Sequence, residues 1–132
     1  MSDFPYQNIP GLQITDMVCR NDGKACAILS GNVLVFELDA SLLKNDTLHK
    51  LTSYLRVLGI NTTFVIVWGY DSQGNYKPGY YAVLPLTYGV GANFEQTGIN
   101  PPDNVAQGDI WYFAVYPAAF NKHLLKVVLE TL

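Results

Sequence analysis

The sequence predicts a mainly β domain: an antiparallel β-sandwich or partly open barrel of about six to eight strands, with one short α-helix at about residues 47–58. Short segments rich in β-branched and aromatic residues recur along the chain, and turn signals such as Asp-Gly and Ser-Gly-Asn separate them. Only one segment has leucines at clear helical spacing. We therefore expect a single β domain at 12–132, preceded by an extended arm at 1–11 that contains Pro5 and Pro10.

The first strands form a predicted meander. Residues 12–20 and 24–30 flank the Asp-Gly pair at 22–23, which favours a two-residue hairpin loop. Residues 33–38 follow a second turn signal at 30–32 and are rich in β-branched and aromatic side chains. Three antiparallel strands joined by two turns account for this part of the chain.

A helix is expected next. Either Asp46 or Thr47 can cap it, because a short side-chain oxygen accepts a hydrogen bond from a free N–H of the first turn. Gly59 is suited to end it. One helical stripe is formed by Leu48, Leu51, Leu55 and Leu58. This stripe predicts a helix of about three turns that packs on the sheet by its leucine face.

A second hairpin follows the helix. Residues 62–70 are strongly β-prone, the polar segment 71–75 is a turn signal, and residues 76–86 return as the partner strand. The Pro-Gly pair at 78–79 interrupts that partner, because proline removes a donor from the ladder, so we expect an edge or a bulge there.

The remainder of the chain contains a long loop and two further elements. Residues 88–108 form a glycine- and proline-rich loop, and loops of this length are usually functional or mobile. Residues 109–116 are the most apolar strand, so this strand is either covered on both faces or exposes tyrosines at a contact surface. Residues 123–131 are predicted to be a last strand because of their alternation and the pair Val127-Val128, with a short helix as the alternative.

Composition and charge exclude several classes of function. Only 14% of residues are charged, against about 25% in typical domains, so disorder is not expected. The net charge is −3 and the basic residues are scattered, which argues against binding to nucleic acid. The sequence has neither an apolar run long enough to span a membrane nor the start of a secretory signal. We therefore expect synthesis in the cytoplasm, with a virion as one destination.

The two cysteines are predicted to face each other as reduced thiols. A two-residue loop at 22–23 places Cys19 opposite Cys26. In such a loop the 21/24 pair is hydrogen-bonded, and by alternation so is 19/26, with Cα atoms about 5.5 Å apart and a geometry that is awkward for a disulfide. The lack of a secretory start favours reduced thiols. A zinc site is not expected, because only His49 and His123 could complete it and neither has paired spacing.

The sequence contains no recognisable catalytic constellation. His49 and His123 lie in no nucleophilic context, and no cofactor fingerprint is present. Glu37, within a predicted strand, is expected to face solvent. Glu95 and Asp103, in the long loop, are the only acids whose context leaves a catalytic role open. We therefore predict a protein that is not an enzyme and has neither a cofactor nor a metal.

Aromatic residues are the positive signal. They make up 13% of the chain and concentrate in the second hairpin, the long loop and strand 109–116. Tyrosine and tryptophan give large rigid contact areas with a polar tip, which suits an interface, although core packing accounts for some of them. The predicted interface residues are Trp68, Tyr70, Tyr76, Tyr80, Tyr88, Phe94, Trp111, Tyr112 and Tyr116.

Three functions are compatible with these observations. The first is a non-enzymatic assembly protein that docks on copies of itself or on a larger assembly, such as a capsid-decoration protein or other virion component. The low charge favours it, because obligate interfaces are apolar. The alternative is a carbohydrate-binding module that stacks sugars on exposed tyrosine and tryptophan. The third is a small enzyme that uses the loop carboxylates.

Overall fold

The structure, a computed structural model, describes residues 13–31, 33–43, 47, 50–51, 53–54, 64–85, 106–115 and 120–132. Its strands are β1 (Asp16–Cys19), β2 (Ala25–Ser30), β3 (Val33–Asp39), β4 (Phe64–Tyr70), β5 (Ala82–Pro85) and β6 (Ile110–Val115). They pair in antiparallel fashion into one sheet of order β1-β2-β3-β6-β4-β5. The prediction of a mainly β domain is therefore confirmed.

The predicted meander is present as β1, β2 and β3. The first turn differs in detail from the two-residue loop that the sequence suggests. The Gly23 N–H donates to the Arg20 carbonyl at 2.9 Å, and the Arg20 N–H donates to the Ala25 carbonyl at 2.8 Å, so the loop spans residues 21–24. Gly23 has φ +74°, which favours glycine at this position.

The second hairpin is also present. The Asp71 carboxylate accepts hydrogen bonds from the N–H groups of Gln73 and Asn75, both at 2.9 Å, and these bonds fix the turn. A short 3-10 turn, Pro78–Tyr80, interrupts the returning chain before β5. Among the described strands, β5 is the last in the sheet order, in line with the edge position predicted for the proline-containing segment.

Strand β6 lies at the centre of the sheet, between β3 and β4. Its residues Trp111 and Phe113 belong to the main core cluster on one face. Ile110 and Tyr112 belong to a second cluster on the other face. Of the two possibilities that the sequence leaves open, burial on both faces is therefore correct for these residues.

The segment predicted as the last strand is a helix, α1 (Lys122–Glu130). The Asn121 side chain caps its N-terminus by accepting a hydrogen bond from the Leu124 N–H at 3.1 Å. Leu125 and Leu129, four residues apart, are fully buried in the main core cluster. The helical period of these leucines outweighs the β preference of Val127 and Val128, so the strand prediction is wrong.

The predicted helix at about 47–58 is described at five residues, Thr47, Lys50, Leu51, Ser53 and Tyr54, and all five are helical. Leu51 and Tyr54 are buried in the main core cluster. The other leucines of the predicted stripe lie outside the described residues, as do the arm at 1–11 and residues 88–105 of the long loop. Within the described part of the chain, no helix is both long and apolar enough to cross a membrane.

The sheet has two different faces. One face carries the main core cluster, which includes Leu125 and Leu129 of α1. The second cluster, as far as the described residues show, consists entirely of strand residues. We call the surface that carries it the strand-only face. Cys26, Ile28 and Tyr112 on this face are nevertheless buried.

Candidate functional site

A row of chemically distinctive side chains crosses the strand-only face. Strand pairing places Cys19 opposite Cys26, and Cys26 opposite Glu37. Glu37 in turn lies opposite Tyr112, and Tyr112 opposite Trp68. Direct partners in a sheet share one face, so these five residues from five strands form one continuous line.

Four aromatic side chains pack together at the end of this row, and we call them the aromatic cluster: Trp68, Tyr70, Tyr76 and Tyr112. Trp68 stacks on Tyr112 with ring centroids 5.2 Å apart and an interplanar angle of 12°. Tyr70 meets Tyr112 edge to face at 5.7 Å, and it meets Tyr76 at 5.9 Å. Aromatic pairs at such distances stabilise one another beyond their area burial, so the cluster is a rigid unit. All four residues are in the predicted interface set.

Exposure rises along the aromatic cluster. Tyr112 is fully buried, Trp68 and Tyr70 are half-buried, and Tyr76 is 49% exposed. On the same end of the sheet, Tyr81 is 54% exposed and Val83 is 50% exposed. The backbone at Tyr81 is extended and Val83 follows two residues later, so both side chains point to one side.

We call Tyr76, Tyr81 and Val83 the exposed patch. Tyr81 and Val83 are not among the interface residues predicted from the sequence. The signal that could have identified them is the interruption by Pro78, which predicts an edge or a bulge, since side chains near an edge have fewer neighbours to cover them. The exposed patch and the aromatic cluster behind it are the candidate binding site.

Glu37 anchors the buried end of the aromatic cluster. The Tyr112 hydroxyl donates to its Oε2 atom at 2.9 Å, and the Glu37 side chain is fully buried. The expectation that Glu37 faces solvent is wrong. Strand β3 is otherwise apolar at Val33–Leu38, and a strand that is apolar on both faces is covered on both. This pattern was the available signal for the burial of Glu37.

Tyr80 and Trp111 lie on the opposite face. Their rings stack with centroids 4.3 Å apart, and both belong to the main core cluster. Trp111 is fully buried and Tyr80 nearly so, and Tyr112 is fully buried on the strand-only face. The prediction that these three side chains contribute to an exposed contact surface is therefore wrong. Alternation along β6 points Trp111 and Tyr112 into cores on opposite faces, and Tyr80 packs on Trp111.

A polar cluster, which the sequence did not predict, joins the 106–109 turn to the second hairpin. We call it the Asp109 cluster. The Tyr80 hydroxyl donates to the buried Asp109 carboxylate, which also accepts from the Ala106 N–H at 3.3 Å. Lys77 Nζ lies 3.4 Å from the same carboxylate oxygen and 3.2 Å from the Tyr80 hydroxyl. The pKa of Tyr80 is raised, mainly by burial of the hydroxyl and secondly by its hydrogen bond to Asp109. The Tyr80 hydroxyl, more than Asp109, holds the pKa of Lys77 above its usual value.

Tyr80→Phe tests the structural importance of the Asp109 cluster. We expect it to lower the free energy of unfolding by about 2 kcal/mol, because it removes the hydroxyl that satisfies a buried carboxylate. Chemical denaturation followed by circular dichroism measures the change. The matched control is Tyr81→Phe, which removes the hydroxyl of the exposed neighbour and should change stability by less than about 0.5 kcal/mol. Equal losses in both variants would contradict the assignment.

The two cysteines form a disulfide, so the prediction of reduced thiols is wrong, although the predicted pairing of Cys19 with Cys26 is confirmed. The thiol prediction fails because it assigned the β1–β2 ladder hydrogen bonds to the wrong residue pairs. The bonded pair is Arg20 with Ala25, so the next pair, 19/26, lacks ladder hydrogen bonds. Such pairs have closer Cα atoms, 4.0 Å apart here, and their side chains meet.

Other predicted residues fall outside the described ranges. They are Tyr88, Phe94, Tyr116, Glu95, Asp103 and His49. His123 lies on α1 and is exposed. A search of the described part of the chain finds no group of three or more histidine, cysteine, aspartate or glutamate side chains placed to hold a metal.

The candidate binding site is thus an aromatic surface backed by a buried carboxyl group. Its chemistry is that of contact: stacking, apolar burial and hydrogen bonding through tyrosine hydroxyls. No known protein family, no curated protein and no solved structure shows significant similarity to this chain.

Proposed function

We propose that this protein is a non-enzymatic assembly domain that docks through the exposed patch, first of all on a second copy of itself, as a subunit of a larger assembly such as a virion. One observation carries the proposal. Tyr76, Tyr81 and Val83 are each about half exposed. Tyr76 packs against Tyr70 of the aromatic cluster, and Val83 pairs with Ile66, which shares its face of β4 with Trp68. Rigid aromatic anchors lose little conformational entropy on binding, which is why they dominate the energetics of interfaces.

The charge around the exposed patch supports this proposal. Within the segment 76–85, Lys77 is the single charged residue, and its ammonium group lies beside Asp109 and over the Tyr80 ring. The cores of protein interfaces are depleted in charged residues and enriched in tyrosine, as this segment is. A segment with so few charges, next to exposed apolar side chains, is also suited to pairing with another chain.

Sedimentation velocity tests the proposal. We expect the wild-type protein to self-associate. In the double variant Tyr81→Ser/Val83→Thr the dissociation constant should rise at least about tenfold, since each lost contact costs on the order of 1 kcal/mol. The control is Val127→Thr on α1, where a valine is exposed to a similar extent, 51%, away from the exposed patch. A wild-type protein that stays monomeric at about 1 mM would overturn self-association, because that concentration populates even weak contacts.

Carbohydrate binding is the second candidate, favoured by one feature of the same surface. The Tyr76 ring is exposed and held in place by Tyr70, which is the arrangement that sugar stacking requires. A glycan array together with tryptophan fluorescence, in which half-buried Trp68 is the reporter, would detect it. Binding that Tyr76→Ala abolishes would favour this function over assembly.

The predicted sandwich or partly open barrel is part of this proposal. Cys26, Ile28, Val35 and Tyr112 are buried on the strand-only face. A second layer over that face would account for their burial. The exposed patch would then stand at the open end of the sandwich, beside the last strand of the sheet.

A further inference from the structure

The tip of the first hairpin is bound to the last turns of α1 by charged groups. Lys126 Nζ donates to the Cys19 carbonyl at 2.7 Å and to Asn21 Oδ1 at 2.6 Å. The Asn21 N–H donates to Glu130 Oε2 at 2.9 Å. The pKa of Glu130 lies below its usual value, mainly because of the bond from the Asn21 N–H and secondly because of the Lys126 ammonium group.

A second set of bonds continues this contact. Arg20 Nη1 donates to the Leu132 carbonyl at 2.7 Å, and Arg20 Nε lies 3.2 Å from the Asp22 carboxylate. Lys122, at the start of α1, lies 2.8 Å from the Asp16 carboxylate at the start of β1. We call the contact between residues 19–22 and residues 126–132 the hairpin–helix junction. It lies at the β1 end of the sheet, far from the exposed patch at the β5 end.

The Cys19–Cys26 disulfide is the covalent link beside this junction. Cys19 supplies the carbonyl that Lys126 binds, so the bridge fixes an atom of the junction itself. Among the described strands β1 has a single neighbour, β2, so the β2 ladder and the disulfide are its links within the sheet, while Lys122 and Lys126 link it to α1. Charge-assisted hydrogen bonds at a surface contribute little stability by themselves, because holding two side chains in one geometry costs conformational entropy.

We propose that the Cys19–Cys26 disulfide is a redox-operated latch. Oxidised, it holds the hairpin tip in the position that binds the end of α1; reduced, it lets the tip and the last turn of α1 open together. The burial of Leu125 keeps the earlier part of α1 on the sheet in both states, and Leu129, in the last turn, leaves the core when that turn opens.

The reductant is a dithiol, either a small molecule or a dithiol oxidoreductase. Its thiolate attacks Cys19 Sγ, since Cys19 is half-buried whereas Cys26 is buried. The Cys19–Cys26 bond breaks, and Cys26 leaves as a thiolate and takes up a proton. The second thiol of the reductant then attacks the mixed disulfide and releases Cys19. Two electrons and two protons pass to the protein, and the dithiol becomes a disulfide.

Hydrogen exchange of the full chain, oxidised and after reduction with a small dithiol, tests the latch. We expect amides in 16–25 and 126–132 to exchange about tenfold faster after reduction, as for a local opening, while those in 64–70 and 110–115 stay unchanged. Unchanged exchange everywhere would overturn the latch. Acceleration across all four segments would also overturn it, because the disulfide would then stabilise the whole fold.

Two variants sharpen this test. Cys19→Ser/Cys26→Ala should reproduce the exchange of the reduced protein without any reductant, and reduced wild type serves where that variant fails to fold. Lys126→Met, with the disulfide intact, should accelerate exchange in 126–132 but leave the amides of 16–19 protected. Sedimentation of the oxidised and reduced protein keeps this inference separate from the assembly proposal, because the latch predicts no change in self-association.

Discussion

Replacement of Trp111 by alanine is expected to lower the free energy of unfolding by about 3–5 kcal/mol. Trp111 is fully buried, stacks on Tyr80 and lies between Leu38 and Gly69 in the central strand. Its removal therefore empties the middle of the main core cluster. A domain of this size is typically stable by about 5–15 kcal/mol, so the loss is a large share of the total.

Urea unfolding followed by far-ultraviolet circular dichroism measures this loss. Trp111→Phe should lie between wild type and Trp111→Ala, and it supplies a value where the alanine variant does not fold. The control is Trp68→Ala, which removes the other tryptophan from a half-buried position. A larger loss from Trp68→Ala than from Trp111→Ala would show that the strand-only face contributes more to stability than the face that carries the main core cluster.

Gly69→Ala is expected to cost about 1–3 kcal/mol or more, through overpacking. A Cβ atom at Gly69 would lie 2.7 Å from Tyr80 Cδ2 and 2.9 Å from the Ile110 carbonyl oxygen. Tyr80 is held by its stack on Trp111 and by its bond to Asp109, and the Ile110 oxygen belongs to the paired backbone of β6. Neither neighbour can move without breaking other contacts.

Gly79→Ala is the matched control for this substitution. A Cβ atom at Gly79 meets nothing within 4 Å, and the glycine lies in the 3-10 turn before β5 without a positive φ. We expect its stability to stay within about 0.5 kcal/mol of wild type, or to rise slightly because the unfolded chain loses freedom. Equal melting temperatures for Gly69→Ala and Gly79→Ala would contradict the close packing at Gly69.

Local signals in the sequence were sufficient for the meander and the second hairpin. The turns at Gly23 and Gly31 have positive φ, and Asp71 forms the bonds that turn residues form within a few positions of themselves. Such interactions do not depend on the rest of the fold. The segment 122–130 was harder, because Val127 and Val128 have β preference while the burial of Leu125 and Leu129 depends on the sheet they meet.

The candidate site was predicted in part, for a similar reason. The sequence identified Trp68, Tyr70 and Tyr76 as contact residues, and the structure brings them into one cluster. It could not show that Trp111 and Tyr80 face the other side, because the face of a strand depends on its neighbours. The two-residue loop suggested by Asp22-Gly23 also led to the wrong hydrogen-bond phase at Cys19, and that phase decides whether the thiols meet.

The position of β6 has a consequence for synthesis on the ribosome. Residues 16–39 and 64–85 are made before residues 110–115, yet β6 is the strand that joins β3 to β4. Among the described strands, those made before β6 form two half-sheets, and their inner edges, β3 and β4, gain their shared partner only when β6 emerges. Unpaired apolar edges promote aggregation. Slow translation between residues 85 and 110 should therefore lower the yield of soluble protein without changing the stability of the finished fold.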